Sequence, residues 1–258
     1  MRALALAAAA LAALPVAAQQ EPPERIVAAL SQNRIAITAT FDGSEIFVFG
    51  AVARSGDPGP DAPPLGVVVR IAGPSAPLIV RRKARVAGVW ANVAAERIDR
   101  APSFYAVAAS GPLHDTLSHT EDLRHRVSFE HALRFVGAQS LGRDRDAFLE
   151  AVVRLRRDAG LYVLEPGGVE ILEDTLFRAA IALPANIVEG TYTATVLLTR
   201  DRRVIDVFEA DIAVAKAGLE RAVFDMSREQ PLLYGALAIL VALAAGLAAS
   251  ETFRWLRR

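Results

Sequence analysis

Residues 191–214 carry the stretch TYTATVLLTRDRRVIDVFEADIAV, which is typical of a β-hairpin. β-Branched, aromatic and aliphatic residues fill both halves, and Asp201-Arg202 between them gives a tight-turn signal. We therefore predict strands over Thr191–Arg200 and Val204–Val214 that pair across this turn.

Outward from this hairpin, short apolar runs alternate with turn residues at spacings of about ten residues, which favours a β-sandwich. Near the N-terminus, Asp42-Gly43 separates two such runs and predicts a second hairpin. The remaining predicted strands are Ile35–Phe41, Ile46–Val52, Val67–Ala72, Leu78–Arg82, Val86–Val93, Phe104–Ala109, Leu161–Leu164, Val169–Leu172 and Leu176–Leu183.

Residues 118–160 have a helical period instead. Ser118 matches a capping box before a predicted helix over Glu121–Val136, although its apolar residues form two stripes rather than one face. A second helix is predicted over Asp144–Ala159, with Gly160 as its C-terminal cap. Because three C-terminal strands cannot bury both faces alone, we expect one immunoglobulin-like sandwich over residues 34–215 with this two-helix insertion, rather than two domains.

Two apolar runs at the chain ends predict export and anchoring. Residues 1–18 fit a signal peptide, since a positive Arg2 precedes an apolar run that is too short to span a bilayer. Leu232–Ala249 contains no charged residue and, at ~1.5 Å per residue, extends about 27 Å as a helix. We expect a poorly ordered lead-in over 19–33, a juxtamembrane helix over 216–231, a transmembrane helix over 232–250 and a cytoplasmic tail over 251–258.

The predicted location is therefore the bacterial inner membrane, with a single span and a periplasmic N-terminal domain. The chain has no cysteine, which excludes thiolate chemistry and Cys-based metal sites. Its formal net charge is zero, so no global field favours nucleic acid.

Four histidines lie between residues 114 and 131, near the acidic residues Asp115, Glu121, Asp122 and Glu130. Imidazole and carboxylate together bind zinc, copper or nickel, so a metal site is one hypothesis. However, histidines six positions apart on one helix point in different directions, which favours a polar helix surface instead. The four histidines are His114, His119, His125 and His131.

Two further features have a functional and a structural interpretation. Under the functional interpretation, Arg81 and Arg82 bind an oxyanion or a lipid headgroup. Under the structural one, their charges keep a strand edge solvated and prevent it from pairing with another chain. Small residues recur every four positions along one face of the predicted anchor, which would permit close packing against a second copy or a permease helix. They are Ala238, Ala242, Gly246 and Ser250.

Three segments carry a resemblance to a known family: Gly190–Ala194, Lys216–Arg221 and Pro231–Gly235. With the signal peptide and the β-rich domain, they resemble the alphaproteobacterial putative transmembrane protein family, over most of the mature chain. The resemblance implies no catalytic residues, since none are assigned in that family. It implies a permease partner, because members are often encoded beside permeases that resemble sulfite or taurine exporters.

We find no catalytic motif, since residues 137–142 miss the nucleophile-elbow spacing by one position. We therefore expect a non-catalytic periplasmic binding or interaction module without a cofactor, accessory to an inner-membrane transporter. One alternative is a periplasmic metal-binding protein that uses the histidines at 114–131. Another is an envelope assembly factor that exchanges strands through a sheet edge.

This topology predicts opposite results for two alkaline phosphatase fusions, because that enzyme is active only outside the cytoplasm. A fusion after residue 215 should be active, and a fusion after Arg258 should be inactive. The intact protein should stay in membranes during an alkaline carbonate wash. Activity of the fusion after Arg258, or release by carbonate, would contradict the predicted topology.

Overall fold

The computed structural model describes residues 24–38, 40–54, 56, 62–135, 143–217 and 226–256. The expected signal peptide at 1–18 and the near-miss motif at 137–142 lie outside the described residues. The described part is mainly β, as predicted from the sequence.

The described strands are β1 Glu24–Leu30, β2 Arg34–Ile37, β3 Gly43–Arg54, β4 Leu65–Ala72, β5 Ser75–Val86, β6 Val89–Pro102, β7 Tyr105–Ala109, β8 Arg134–Phe135, β9 Tyr162–Pro166, β10 Val169–Leu172, β11 Leu176–Pro184, β12 Gly190–Arg200 and β13 Arg203–Lys216. The described helices are α1 Leu113–Thr116, α2 His119–His125, α3 Phe129–Ala132, α4 Arg143–Asp158 and α5 Pro231–Leu256. Most of them are short, and only α4 and α5 exceed two turns.

Two sheets lie against each other and share one hydrophobic core. The four-stranded sheet has the order β1-β3-β11-β10 and is antiparallel, and the six-stranded sheet has the order β2-β13-β12-β4-β7-β9. The six-stranded sheet is antiparallel in its centre. At its two edges, β2 pairs in parallel with β13, and β9 pairs in parallel with β7. The predicted hairpin β12–β13 is confirmed, with Asp201 and Arg202 both at positive φ in the turn.

The centre of the six-stranded sheet is buried on both faces. Val67, Val68 and Val69 of β4 are fully buried, and every residue of β7 is buried. Since consecutive strand residues point to opposite faces, each face needs a cover. The four-stranded sheet covers one face, and the core also includes Val127 and Phe129 from the helical segment. The fold therefore has three layers at this point.

Two predictions for the N-terminal region are wrong. Residues 24–30 were expected in a poorly ordered lead-in, but they form β1, which pairs with β3. The expected hairpin across Asp42-Gly43 does not form, because β2 pairs in parallel with β13, where Ile35 lies opposite Val214. Burial of Ile35 in the six-stranded sheet thus overrides the local turn signal.

The helical insertion also differs from the prediction. Ser118 caps α2 as expected, since its hydroxyl accepts a hydrogen bond from the Glu121 N–H at 3.3 Å. The helix predicted to continue to residue 136 ends at His125, and α3 and the short strand β8 follow. In contrast, α4 matches its prediction, and Gly160 has φ +69° at its C-terminal end.

The segment between domain and anchor agrees with its prediction only in part. Lys216, expected to begin the juxtamembrane helix, is the last residue of β13. Residues 226–229 are helical, and residues 218–225 lie outside the described part. The anchor helix α5 continues to Leu256 and so includes most of the segment expected as a tail.

An ion-pair cluster around the buried Glu24 connects the two sheets, with both of its arginines partly exposed. Glu24 on β1 accepts hydrogen bonds from Arg54 at 3.0 Å and from the Arg200 Nη2 at 2.6 Å. Arg54 belongs to the four-stranded sheet and Arg200 to the six-stranded sheet. The Glu24 carboxylate therefore links the two sheets. The hydrogen bond from Arg200 lowers the pKa of Glu24 below its ordinary value.

We expect Glu24→Gln to destabilise the domain by about 3 kcal/mol at pH 7, because it leaves two guanidinium groups without their anion. Since the folded-state pKa of Glu24 is lowered, its contribution is present above the unfolded-state pKa and is lost as the pH falls through the folded-state pKa. Denaturant unfolding at pH 7 and at pH 3 measures both effects, and the difference between wild type and variant should shrink at pH 3.

Glu170→Gln is the matched control, because Glu170 pairs with Arg178 at 2.7 Å on an exposed face. An exposed pair contributes at most about 1 kcal/mol. Equal losses in the two variants would contradict the connecting role of Glu24.

Candidate functional site

The break between α2 and α3 brings two of the four histidines together. His119 and Asp122 are one turn apart on α2 and therefore share a face. The chain then reverses through Arg126, which has φ 52°, and α3 returns His131 towards the same face. The ligand-capable atoms of His119, Asp122 and His131 all lie within 4.8 Å of one another. We call these three residues the His–Asp cluster.

The cluster has a fixed half and an exposed half. The His131 Nδ1 lies 3.1 Å from the Asp122 Oδ2 and 3.0 Å from the Ser128 Oγ. The side chains of Asp122 and His131 are only 15% and 18% exposed. His119 is exposed, and its ring centre lies 5.5 Å from that of His131.

The other two histidines lie apart from the cluster. His114 is exposed beside Asp115, with 3.4 Å between its Nε2 and the carboxylate. His125 faces the other side of α2, where its Nε2 lies 3.3 Å from the Glu121 Oε2. On one continuous helix the histidines would point apart, but His131 meets His119 because the helix ends at His125 and a new one begins at Phe129.

The break itself follows from packing. Val127 and Phe129 are both buried, but in a continuous helix side chains two positions apart point about 200° away from each other. Only a change of direction allows both to face the sheet. The two apolar stripes noted in the sequence were the signal of this break.

Side chains from α2 and from the six-stranded sheet form hydrogen bonds with the backbone N–H and carbonyl groups of the turn between α2 and α3. The Asp122 Oδ1 accepts hydrogen bonds from the backbone N–H groups of Val127 at 3.1 Å and Ser128 at 2.7 Å. The Tyr105 hydroxyl of β7 lies 2.6 Å from the carbonyl oxygen of Arg126 and 3.0 Å from that of Val127. Arg70 of β4 donates to the His125 carbonyl at 2.5 Å. The position of α3 is thus defined by the six-stranded sheet.

An aromatic group under α3 supports this arrangement. Phe129 stacks on Tyr162 at 5.4 Å between ring centres and meets Tyr105 edge-on at 5.9 Å. Burial raises the pKa of Tyr162 to about 12 and also raises that of Tyr105, so both hydroxyls remain donors at neutral pH. The role of Tyr105 cannot be predicted from the sequence, because no local pattern connects it to a turn 21 residues away.

A second feature is the β-hairpin of β5 and β6, whose end is largely exposed. The strands β5 and β6 pair up to Val86 and Val89, and Ala87 and Gly88 form the turn with φ values of 49° and 87°. The side chains of Val86, Val89 and Trp90 are 52%, 69% and 69% exposed. We call residues 79–97 the arm and these three residues its apolar tip.

The arm carries five basic residues and one acidic residue, Glu96, although the whole chain has zero formal net charge. Arg81 and Arg82 are consecutive on β5 and therefore point to opposite faces of the arm. Arg82 places its guanidinium 5.8 Å from the ring centre of Phe148 on α4. The structure thus does not bring the two arginines together as one anion site.

Among the described residues, one helix is long and apolar enough to cross a membrane, over Pro231–Ser250, and none of it is buried. The small residues predicted to support packing lie along this helix at spacings of four. At Gly246, an added Cβ would meet nothing within 4 Å. Since none of the span is buried, the small-residue face is exposed in the same way as the other sides of the helix.

We expect Tyr105→Phe to loosen the turn between α2 and α3, because the Arg126 and Val127 carbonyls lose their donor. The loss of stability should be about 1 kcal/mol. Amide hydrogen exchange should become faster at Val127 and Ser128. Tyr162→Phe is the matched control, since its hydroxyl donates to Pro102 at 2.9 Å and does not touch the turn. Equal acceleration in both variants would contradict the role of Tyr105.

Comparison with known protein families gives a match over most of the chain. Residues 25–255 match the family model described as Putative transmembrane protein (Alph_Pro_TM). No curated protein matches the chain. Since the match covers nearly all of the described residues, the chain belongs to this alphaproteobacterial transmembrane protein family.

Proposed function

We propose that this protein is a membrane-anchored, non-catalytic interaction module that binds an inner-membrane permease on its periplasmic side. The arm supplies the contact surface, and α5 holds the domain beside its partner. The observation that supports this most directly is the apolar tip.

The apolar tip is unfavourable in an isolated domain. Burying a large apolar side chain stabilises a protein by about 1.5–3 kcal/mol relative to leaving it exposed. More than half of the surface of Val86, Val89 and Trp90 is exposed, so these residues contribute little of this stabilisation to the isolated domain. The two-residue turn with positive φ at Ala87 and Gly88 fixes the register of the strands. A preformed apolar tip on a defined hairpin therefore suits a binding pocket in a partner.

The composition of the arm supports a partner with an apolar pocket and acidic groups. Trp and Arg are the residue types that contribute most to binding energy at interfaces, and Arg85 lies directly opposite Trp90 in the hairpin. The excess of basic residues in the arm complements acidic groups around an apolar pocket. A periplasmic loop region of a permease with such a pocket meets both requirements.

The anchor supports the same proposal through proximity. A domain fixed to the membrane meets other membrane proteins at a raised effective concentration, so each contact need only be weak. The small residues along one face of α5, which include Gly246, allow close approach of a permease helix as a second contact.

Photocrosslinking in intact membranes tests this proposal. A photoreactive amino acid at position 90 should give a crosslinked product with one integral membrane protein that has several spans. The same group at Leu155, an exposed apolar residue of α4, should not give that product. Arg85→Glu should reduce the yield at position 90 at least tenfold, and added salt should reduce it as well.

Three other outcomes would count against the proposal. Crosslinks from position 90 to lipid alone would assign the arm to the membrane surface. A product with the mass of two copies of this chain would assign it to a homodimer. The absence of any product that distinguishes position 90 from position 155 would remove the arm as a contact surface.

A further inference from the structure

We propose that His119, Asp122 and His131 form a binding site for a divalent transition-metal ion, for which zinc is the best match. This site lies outside the arm and is independent of the interaction proposed above. It differs from the four-histidine hypothesis, because His114 and His125 have no part in it.

The chain delivers the three side chains in a pattern that suits one ion. His119 and Asp122 share a face of α2 at a spacing of three, which is a chelating spacing on a helix. The turn at Arg126 then adds His131 from α3. Two imidazoles and one carboxylate are a donor set that zinc accepts, with a fourth position left for water or another ligand.

One of the three distances between ligand atoms already fits a tetrahedral site. With bonds of about 2.0–2.1 Å, neighbouring zinc ligands lie roughly 3.4 Å apart. The Asp122 Oδ2 and the His131 Nδ1 are already 3.1 Å apart. The ligand-capable atom of His119 already lies within 4.8 Å of the other two, and rotation of its exposed side chain can shorten this distance.

The surroundings hold two of the three ligands in place before any ion binds. The backbone N–H groups of Val127 and Ser128 fix the Asp122 Oδ1, which leaves the Oδ2 directed at His131. Metal-binding carboxylates are commonly held in this manner by a second set of hydrogen bonds. The Tyr105 hydroxyl in turn holds the backbone that carries Ser128 and α3. Binding therefore orders only one further side chain, His119.

The donor set also discriminates between ions. Calcium and magnesium require mainly oxygen ligands, and a single carboxylate does not satisfy them. Imidazole nitrogen favours zinc, copper and nickel. We therefore infer a late transition metal.

The test is zinc titration of the full-length protein, purified in detergent and stripped of metal with a chelator. We expect one zinc ion per chain. His119→Ala and Asp122→Asn should each weaken zinc binding at least tenfold, whereas the matched controls His114→Ala and His125→Ala should leave it unchanged. The amide oxygen of an asparagine at position 122 can still accept from Val127 and Ser128, so the turn should be retained.

A second measurement separates loss of a ligand from loss of folding. Cobalt in place of zinc should give visible absorption bands of a four-coordinate ion in the wild type, and these should disappear in His119→Ala at an unchanged metal-free melting temperature. Absence of zinc and copper uptake by the wild type would overturn the site. Equal affinity in His119→Ala and wild type, or a loss in His114→Ala, would also overturn it. None of these results affects the crosslinking test of the arm.

Discussion

The structure depends on burial of the six-stranded sheet from both sides. Its central strands, of which β7 is buried along its whole length, have apolar residues on both faces. Neither face can be exposed to water, because the free-energy cost of exposing that many aliphatic side chains would be larger than the net stability of a domain. The four-stranded sheet covers one face, and residues of the helical segment pack into the same core.

This constraint accounts for the geometry of the His–Asp cluster. Val127 and Phe129 can both reach the sheet only because the helix ends at His125 and a new one begins at Phe129. The resulting turn places Arg126 in the left-handed region, which is unfavourable for a residue with a side chain. The hydrogen bonds that Asp122 accepts from the turn and that Tyr105 donates to it offset that cost. The same turn directs His131 at Asp122, so one packing requirement both disrupts the helix and assembles the cluster.

The arm and the anchor are the parts to which this constraint does not apply. Beyond Val80 the arm has few apolar contacts with the core, and its tip at Trp90 stays exposed. The anchor α5 is likewise unburied over Pro231–Ser250, which is natural for a helix whose surroundings are lipid. The surfaces left open after the core is satisfied are therefore those that we assign to partners.

The sequence by itself determined the features that depend on neighbouring residues. The β12–β13 hairpin, the helix α4 with Gly160 at its end and the apolar anchor all follow from local periodicity and turn chemistry. Only the tertiary structure decided the pairing of Ile35 with Val214, the break after His125 and the meeting of His119 with His131. The physical reason is that these depend on which surfaces are buried against each other, and burial joins residues that no local sequence pattern connects.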